Sequence, residues 1–287
     1  MYFLLVDNIP LLASAHNVQH DEEGPDSNDL MHIRRPNAVM IANTGKSRSM
    51  NAFDVSIIHF LNAFSHHSVM FDSFVEFLSD NSLLKGGVMM ALFWWVWAEG
   101  GDAQPERREL LLFGLFASVL AVFLARILAL LLPFRERPIH NPLLGFRLPY
   151  EMNPDSLLHW SSFPSDHAAL FFALATSVWF VSKRMGLFAY CYAFFVICLP
   201  RIYIGIHYPT DIIAGVLLGI GTAALSNVLW LRKSVAQTFL GWINRLPARG
   251  YVFLFLFSFE IGEQFDSLRH IAVLGYRSLT FALQALR

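Results

Sequence analysis

Between residues 54 and 80 the apolar positions Val55, Ile58, Leu61, Phe64, Phe71, Phe74 and Phe77 recur mostly every three or four residues, with His59, His66, His67, Asp72 and Glu76 between them. That period predicts an amphipathic helical region lying at a membrane interface rather than crossing it. Further on, five segments are apolar enough to cross a bilayer: 83–98, 110–134, 168–182, 187–206 and 212–231, the first and third being short. YVFLFLFSF at 251–259 is apolar for only nine residues before Glu260, Glu263 and Asp266, so packed, interfacial and transmembrane placements all stay open. Residues 1–50 have no period. DEEGPDSND and NTGKSRS are polar and turn-rich, which predicts a poorly ordered extension. The apolar opening of that extension is broken by Asp7 and Pro10 and lacks the positive region of a cleavable signal; Met50 is an alternative start. The expected division is an extension at 1–50, an interfacial region at 51–82, a transmembrane domain at 83–231 and an amphipathic C-terminal region at 232–287.

Composition turns this pattern into a class. Of 287 residues, 55% are hydrophobic and 15% charged, whereas a soluble domain carries about 25% charged residues. With 27 Phe and a net charge of -1, the chain is neither disordered nor a nucleic-acid binder that works by bulk positive charge. The partner implied is a phospholipid bilayer, and no obligate protein partner is inferred. Cys191 and Cys198, seven residues apart on a helix, are beyond disulfide reach and do not report a compartment. Arg107 with Arg108, Lys183 with Arg184, and Arg232 with Lys233 fall in connections on one face of the bundle, which the positive-inside rule makes cytoplasmic. The loop at 135–166 and the junction at 201–211 then share the outer face of a bacterial-type inner or plasma membrane.

Those two connections hold three polar islands: Arg135-Glu136-Arg137-Pro138, Pro164-Ser165-Asp166-His167, and Arg201 with His207 and Asp211. Charge at membrane depth is costly and marks function. A helix starting near Ser165 presents free backbone N–H groups to an anion. Arg137 and Arg201 can each grip two phosphate oxygens. Asp211 follows His207 by four residues, close enough in a helical turn to take one imidazole N–H and leave the other nitrogen nucleophilic. His167 is then free to protonate a leaving group. Together these groups make a phosphoryl-transfer site that needs no metal and no cofactor.

The order R-P, P-S-x-H and R-x5-H-x3-D over residues 83–231 resembles the type 2 phosphatidic acid phosphatase and haloperoxidase superfamily, with RIYIGIHYPTD the most specific block. The resemblance implies an all-α membrane bundle of five to six helices whose members dephosphorylate lipid phosphates or pyrophosphates at the outer face. It implies that His207 attacks phosphorus to form a phosphohistidine, that Asp211 orients it and that His167 is the general acid. Arg137, Arg201, Ser165 and the backbone at Asp166 would hold the phosphate. Three positions depart from the pattern. Leu130 stands where the family has a lysine; Arg126 lies one turn earlier but leans away, so Arg135 is the expected substitute. Asp166 replaces a glycine, and Pro200 replaces a serine. Two alternatives stay open: a vanadate-dependent haloperoxidase, against which the membrane spans and the missing lysine argue, and a non-catalytic phospholipid-binding protein with a degenerate site, which the three departures favour. His66, His67, His140 and His159 are read as interfacial, the Trp94, Trp95 and Trp97 cluster as an interface belt, and Gly215 with Gly219 as a helix-packing stripe.

Overall fold

The computed structural model describes residues 51–101, 104–150 and 152–285. The expected N-terminal extension and the alternative start at Met50 lie outside those residues. Among the described residues the chain is all helix and loop: α1 (Ala52–Asn62), α2 (Val69–Asp80), α3 (Val88–Ala98), α4 (Gln104–Leu131), α5 (Asp166–Val181), α6 (Lys183–Tyr192), α7 (Leu199–Tyr203), α8 (Pro209–Ala224), α9 (Leu229–Arg245), α10 (Pro247–Gly262) and α11 (Asp266–Ala285). A π-turn at Leu83–Gly87 leads into α3, and another at Ala193–Cys198 joins α6 to α7.

The five expected crossings are all helical. Gln104–Leu131, Lys183–Tyr203 and Pro209–Asn227 are long and apolar enough to cross a membrane, while Leu83–Ala98 and Asp166–Val181 are apolar but shorter. α5 is the central post, buried from Ala168 to Val178. It packs against α4 and α8 at backbone distance, because a Cβ on Gly114 would meet Ser177 Oγ at 2.1 Å, and one on Gly215 or Gly219 would meet the Ser165 or Ala169 carbonyl at 2.3 Å. The glycine stripe is therefore a packing surface, and it brings the start of α8 beside the start of α5.

In α1 and α2 the amphipathic pattern is turned inside out. Asp54, Asn62 and Asp72 face inward and are buried, while Phe60, Phe64, Met70, Phe74 and Phe77 are exposed. This suits helices that lie in lipid, which solvates phenyl groups, and that pack polar groups against the bundle, where hydrogen bonds replace water. Asp72, for example, accepts from Tyr203 Oη and from the backbone N–H of Tyr150.

The C-terminal region docks on the bundle. Arg232 on α9 pairs with Glu106 at 3.2 Å. α10 then runs antiparallel to α3, with Trp94 Nε1 donating to Ser258 Oγ at 3.2 Å and Gly262 against Gly86. The apolar run 251–259 is thus packed along α3 and returns the chain to the end from which α3 starts. The tryptophan belt is corrected in part: Trp95 is exposed, but Trp97 is buried and Trp94 packs against the core.

Candidate active site

A cavity of about 370 Å³ opens where the N-terminus of α5, the C-terminal end of α7 and the loop before α8 converge. Five of the expected residues wall it: Arg137, Asp166, His167, Arg201 and His207. Arg126, Lys85, Trp160 and Arg269 line it as well, together with the carboxylates of Glu76, Asp80 and Asp266.

α5 begins at a cap. Ser165 Oγ accepts from the Ala168 N–H at 3.4 Å, and the Ser165 N–H donates to the Asp211 carbonyl at 3.1 Å. Ser165 therefore builds the turn and is fully buried, outside the cavity lining. The next side chain, Asp166, bridges two partners: Oδ1 lies 2.9 Å from His167 Nδ1 and Oδ2 lies 2.5 Å from an Arg126 nitrogen. An ionised carboxylate only accepts, so Nδ1 of His167 carries the proton and Nε2 is the nitrogen left for chemistry.

His207 is held from the other side. Its Nδ1 lies 2.9 Å from the Ser162 carbonyl, which again puts the proton on Nδ1 and a lone pair on Nε2. The expected direct bond to Asp211 is corrected here, because Asp211 Oδ2 is 3.7 Å from Nδ1. Asp211 instead closes the first turn of α8, accepting from the Tyr208 N–H at 2.8 Å and from Arg135 at 2.5 Å. It supports His207 by charge and by fixing the loop. Burial pushes the imidazole of His207 below the usual histidine range; Asp211 opposes that shift and Arg137 adds to it. The ring nitrogens of His207 and His167 and an Asp166 oxygen all lie within 4.8 Å of one another.

The arginines differ in state. Arg137 donates to the carbonyls of Ile206 at 2.6 Å, Trp160 at 3.2 Å and Ser161 at 3.3 Å, which locks its plane. Arg201, 1% exposed, donates to the Ile197 and Ser79 carbonyls and keeps a buried Nε without a partner. The buried Ser162 Oγ also lacks one.

Arg135 departs from its expected role. It is absent from the cavity lining and lies over the Tyr208 ring at 4.1 Å, bonded to Asp54, Thr210 and Asp211. Arg126, discounted because helical side chains lean toward the N-terminus, reaches the cavity instead, stacked 5.0 Å from the Trp160 ring. An arginine is long enough to overcome that lean when a carboxylate one helix away pulls it. Leu130, at the family's lysine position, is 58% exposed and lines nothing. Lys85 was missed altogether, although it is the only charged residue in the apolar run 83–98, as Arg126 is in 110–134. A single charge inside a crossing was the signal for both.

Residues 110–234 match the PAP2 superfamily. The chain is 25% identical over 186 residues to the bacitracin transport permease protein BcrC of Bacillus licheniformis, covering 63% of this chain and 82% of that one. It is 31% identical over 140 residues to the lipid A 1-diphosphate synthase of Escherichia coli, covering 47% and 55% of the two chains. It is 23% identical over 164 residues to the undecaprenyl-diphosphatase BcrC of Bacillus subtilis, covering 56% and 75%. All three blocks and both histidines fall inside the matched span.

Proposed function

We propose that this chain, whose residues 110–234 match the PAP2 superfamily, is a membrane phosphoric ester hydrolase of that kind, which hydrolyses a lipid phosphate or diphosphate through a phosphohistidine on His207, without metal. The observation that carries this reading is the pair of histidines whose free nitrogens share one cavity with Arg126, Arg137 and Arg201. Three guanidinium groups lining one cavity with a nucleophile and an acid suit a phosphoryl group passing from one side to the other.

In this mechanism the His207 Nε2 lone pair attacks phosphorus. The bond from phosphorus to the leaving oxygen breaks, its electron pair goes to that oxygen, and His167 Nε2–H supplies the proton. Asp166 holds His167 from Nδ1 and steadies its protonated form, and the negative substrate favours that form further. Arg137 and Arg201 carry the equatorial oxygens. Water then attacks the phosphohistidine and gives a proton to His167; the P–N bond breaks, and its pair returns to Nε2. The basic connections support a cavity on the outer face, where the head of a membrane lipid is within reach.

The test is a phosphate-release screen over lipid monophosphates and diphosphates, with the purified protein in detergent and no added metal. Turnover by the wild type and none by His207→Ala is the expected result; equal turnover by both refutes the nucleophile. The relative named as a diphosphate synthase supports a second reading, in which the phosphohistidine passes its phosphoryl group to a phosphate oxygen instead of water. The same screen separates them, since transfer yields a new diphosphate lipid without orthophosphate.

A further inference from the structure

Lys85 belongs to no motif and lies outside the matched span, yet it lines the cavity at 8% exposure. Its place is built by the backbone. Asn81 starts the π-turn Leu83–Gly87, its side chain accepting from the Leu84 N–H at 3.0 Å and its carbonyl from the Lys85 N–H at 2.9 Å. Tyr192 Oη donates to the Leu84 carbonyl at 2.6 Å, tying this π-turn to the one that precedes Arg201. On the far side, a Cβ on Gly86 would lie 1.9 Å from the Gly262 carbonyl, so α10 presses the turn inward. π-turns insert one residue and re-aim the side chains beside them. Here two such turns, in contact through Tyr192, aim Lys85 and Arg201 into one cavity.

Among the described residues the Lys85 ammonium makes no hydrogen bond or ion pair. The acids that share its field are Asp80, Glu263 and Asp266. Two of them are engaged elsewhere, Glu263 with Ser267 Oγ at 2.5 Å and Asp266 with Arg269 at 3.0 Å. Asp80 lines the same cavity, and a buried lysine with three donors facing that cavity is suited to hold an anion. Lys85 thus lines the same cavity as His167, Arg201 and His207, from an element that none of the three blocks supplies.

We propose that Lys85 holds the leaving phosphate of a diphosphate substrate and so selects diphosphates over monophosphates. The inference rests on the hydrolase reading above. When His207 attacks the terminal phosphorus of a diphosphate, the broken P–O bond leaves its electron pair on a lipid monophosphate, an anion that a further cation in the same cavity stabilises. A monophosphate ester departs as a neutral alcohol once His167 has protonated it, and needs no such cation. The family's lysine position is Leu130, so this charge comes from a different helix.

The test compares farnesyl monophosphate with farnesyl diphosphate, whose tails are identical, using the full chain in detergent with wild type, Lys85→Met and Lys85→Arg. Lys85→Met should lower kcat/KM for the diphosphate about ten- to a hundred-fold, the usual worth of a hydrogen bond to a charged group. Monophosphate turnover should stay near wild type, which also shows that the variant is folded, and Lys85→Arg should recover much of the diphosphate rate. Equal losses on both substrates, or no loss on either, overturn the proposal. If the wild type turns over neither substrate, the hydrolase reading falls, and calorimetry with inorganic pyrophosphate and orthophosphate decides Lys85 separately. Weakened pyrophosphate binding alone in Lys85→Met upholds the leaving-side assignment; parallel changes overturn it.

Discussion

Arg135 donates to Asp211 Oδ1 at 2.5 Å from behind His207, on the far side of the loop from the cavity. Its other terminal nitrogen bonds Asp54 at 2.7 Å, and Asp54 in turn accepts from the Thr210 N–H at 2.9 Å. One guanidinium thus joins α1, which lies outside the matched domain, to the first turn of α8.

Removing that guanidinium leaves two buried carboxylates uncompensated, so Arg135→Met should cost about 3 kcal/mol, near the low end for breaking a buried pair. Thermal unfolding in detergent reads the loss. Because Arg135 acts through the loop that carries His207, kcat should fall with KM little changed, and Arg135→Lys should recover part of it. A rise in KM with unaltered stability would return Arg135 to the role of phosphate ligand.

The two histidines should fail differently. His207→Ala loses the covalent route, a loss of about ten-thousand-fold or more in kcat. His167→Gln should lose about 10²–10⁴-fold with an alkyl phosphate, the span that general acids supply. With p-nitrophenyl phosphate, whose leaving group needs no proton, His167→Gln should release a burst of about one p-nitrophenol per enzyme and then stall at the phosphohistidine, which needs His167 as base, while His207→Ala gives no burst. Identical behaviour of both variants on both substrates would contradict the division of roles.

The charge state of His207 makes a separate prediction. Burial, helped by Arg137, lowers its affinity for a proton despite Asp211, so the ring titrates below the ordinary value of 6.5. It is neutral at pH 7, and the acid limb it contributes to activity lies below pH 6.5. Between the folded and unfolded pKa values the unfolded chain binds more protons, so stability is full above 6.5 and declines as pH falls toward the folded value. Nitrogen-15 histidine spectra should show His207 with its proton on Nδ1 and a depressed titration. An Nε2–H tautomer would remove the lone pair from the cavity side and sink the mechanism.

Close packing of α5 on α8 sets the distance between the histidines. Gly215→Val places carbon against the Ser165 carbonyl, 2.3 Å from the position of a Cβ, where backbone has to move. Such overpacking costs about 1–3 kcal/mol, and the shift of Ser165–His167 away from His207 should cut kcat at least as much as stability. Gly221, on the same helix, has nothing within 4 Å of its Cβ position, so Gly221→Ala should leave both unchanged or raise stability slightly. If the two variants behave alike, the glycine stripe does not position the site.

Much of the architecture was legible because hydrophobic runs and single charges are local signals. Arg137, His167, Arg201 and His207 could be placed together from three short blocks. What the sequence withheld is non-local. Whether Arg126 or Arg135 enters the cavity depends on which carboxylate each meets, and Asp166 and Asp54 lie 40 and 81 residues away from them along the chain. The inverted polarity of α1 and α2 was hidden because period alone does not say which face is buried. Lys85 was hidden by the π-turn, since counting 3.6 residues per turn misplaces every side chain after an inserted residue.

The last prediction concerns metal. Asp166, His167 and His207 offer ligand atoms within 4.8 Å of one another, a spacing that a zinc ion also accepts. Both Asp166 oxygens are already engaged, one by His167 and the other by Arg126, and Arg137, Arg201 and Lys85 line the same cavity. A cation there would meet five positive side chains against the four carboxylates of Glu76, Asp80, Asp166 and Asp266, and would have to displace Arg126 from Asp166. Phosphate release should therefore survive dialysis against EDTA, and orthovanadate, a tetrahedral anion that becomes five-coordinate on a nucleophile, should inhibit. In Arg126→Gln the carboxylate is freed and one positive charge is gone, so zinc should bind more tightly than in the wild type and inhibit turnover. Activity lost to EDTA and restored by zinc in the wild type would show that the histidines serve a metal, and the phosphohistidine route would fall with it.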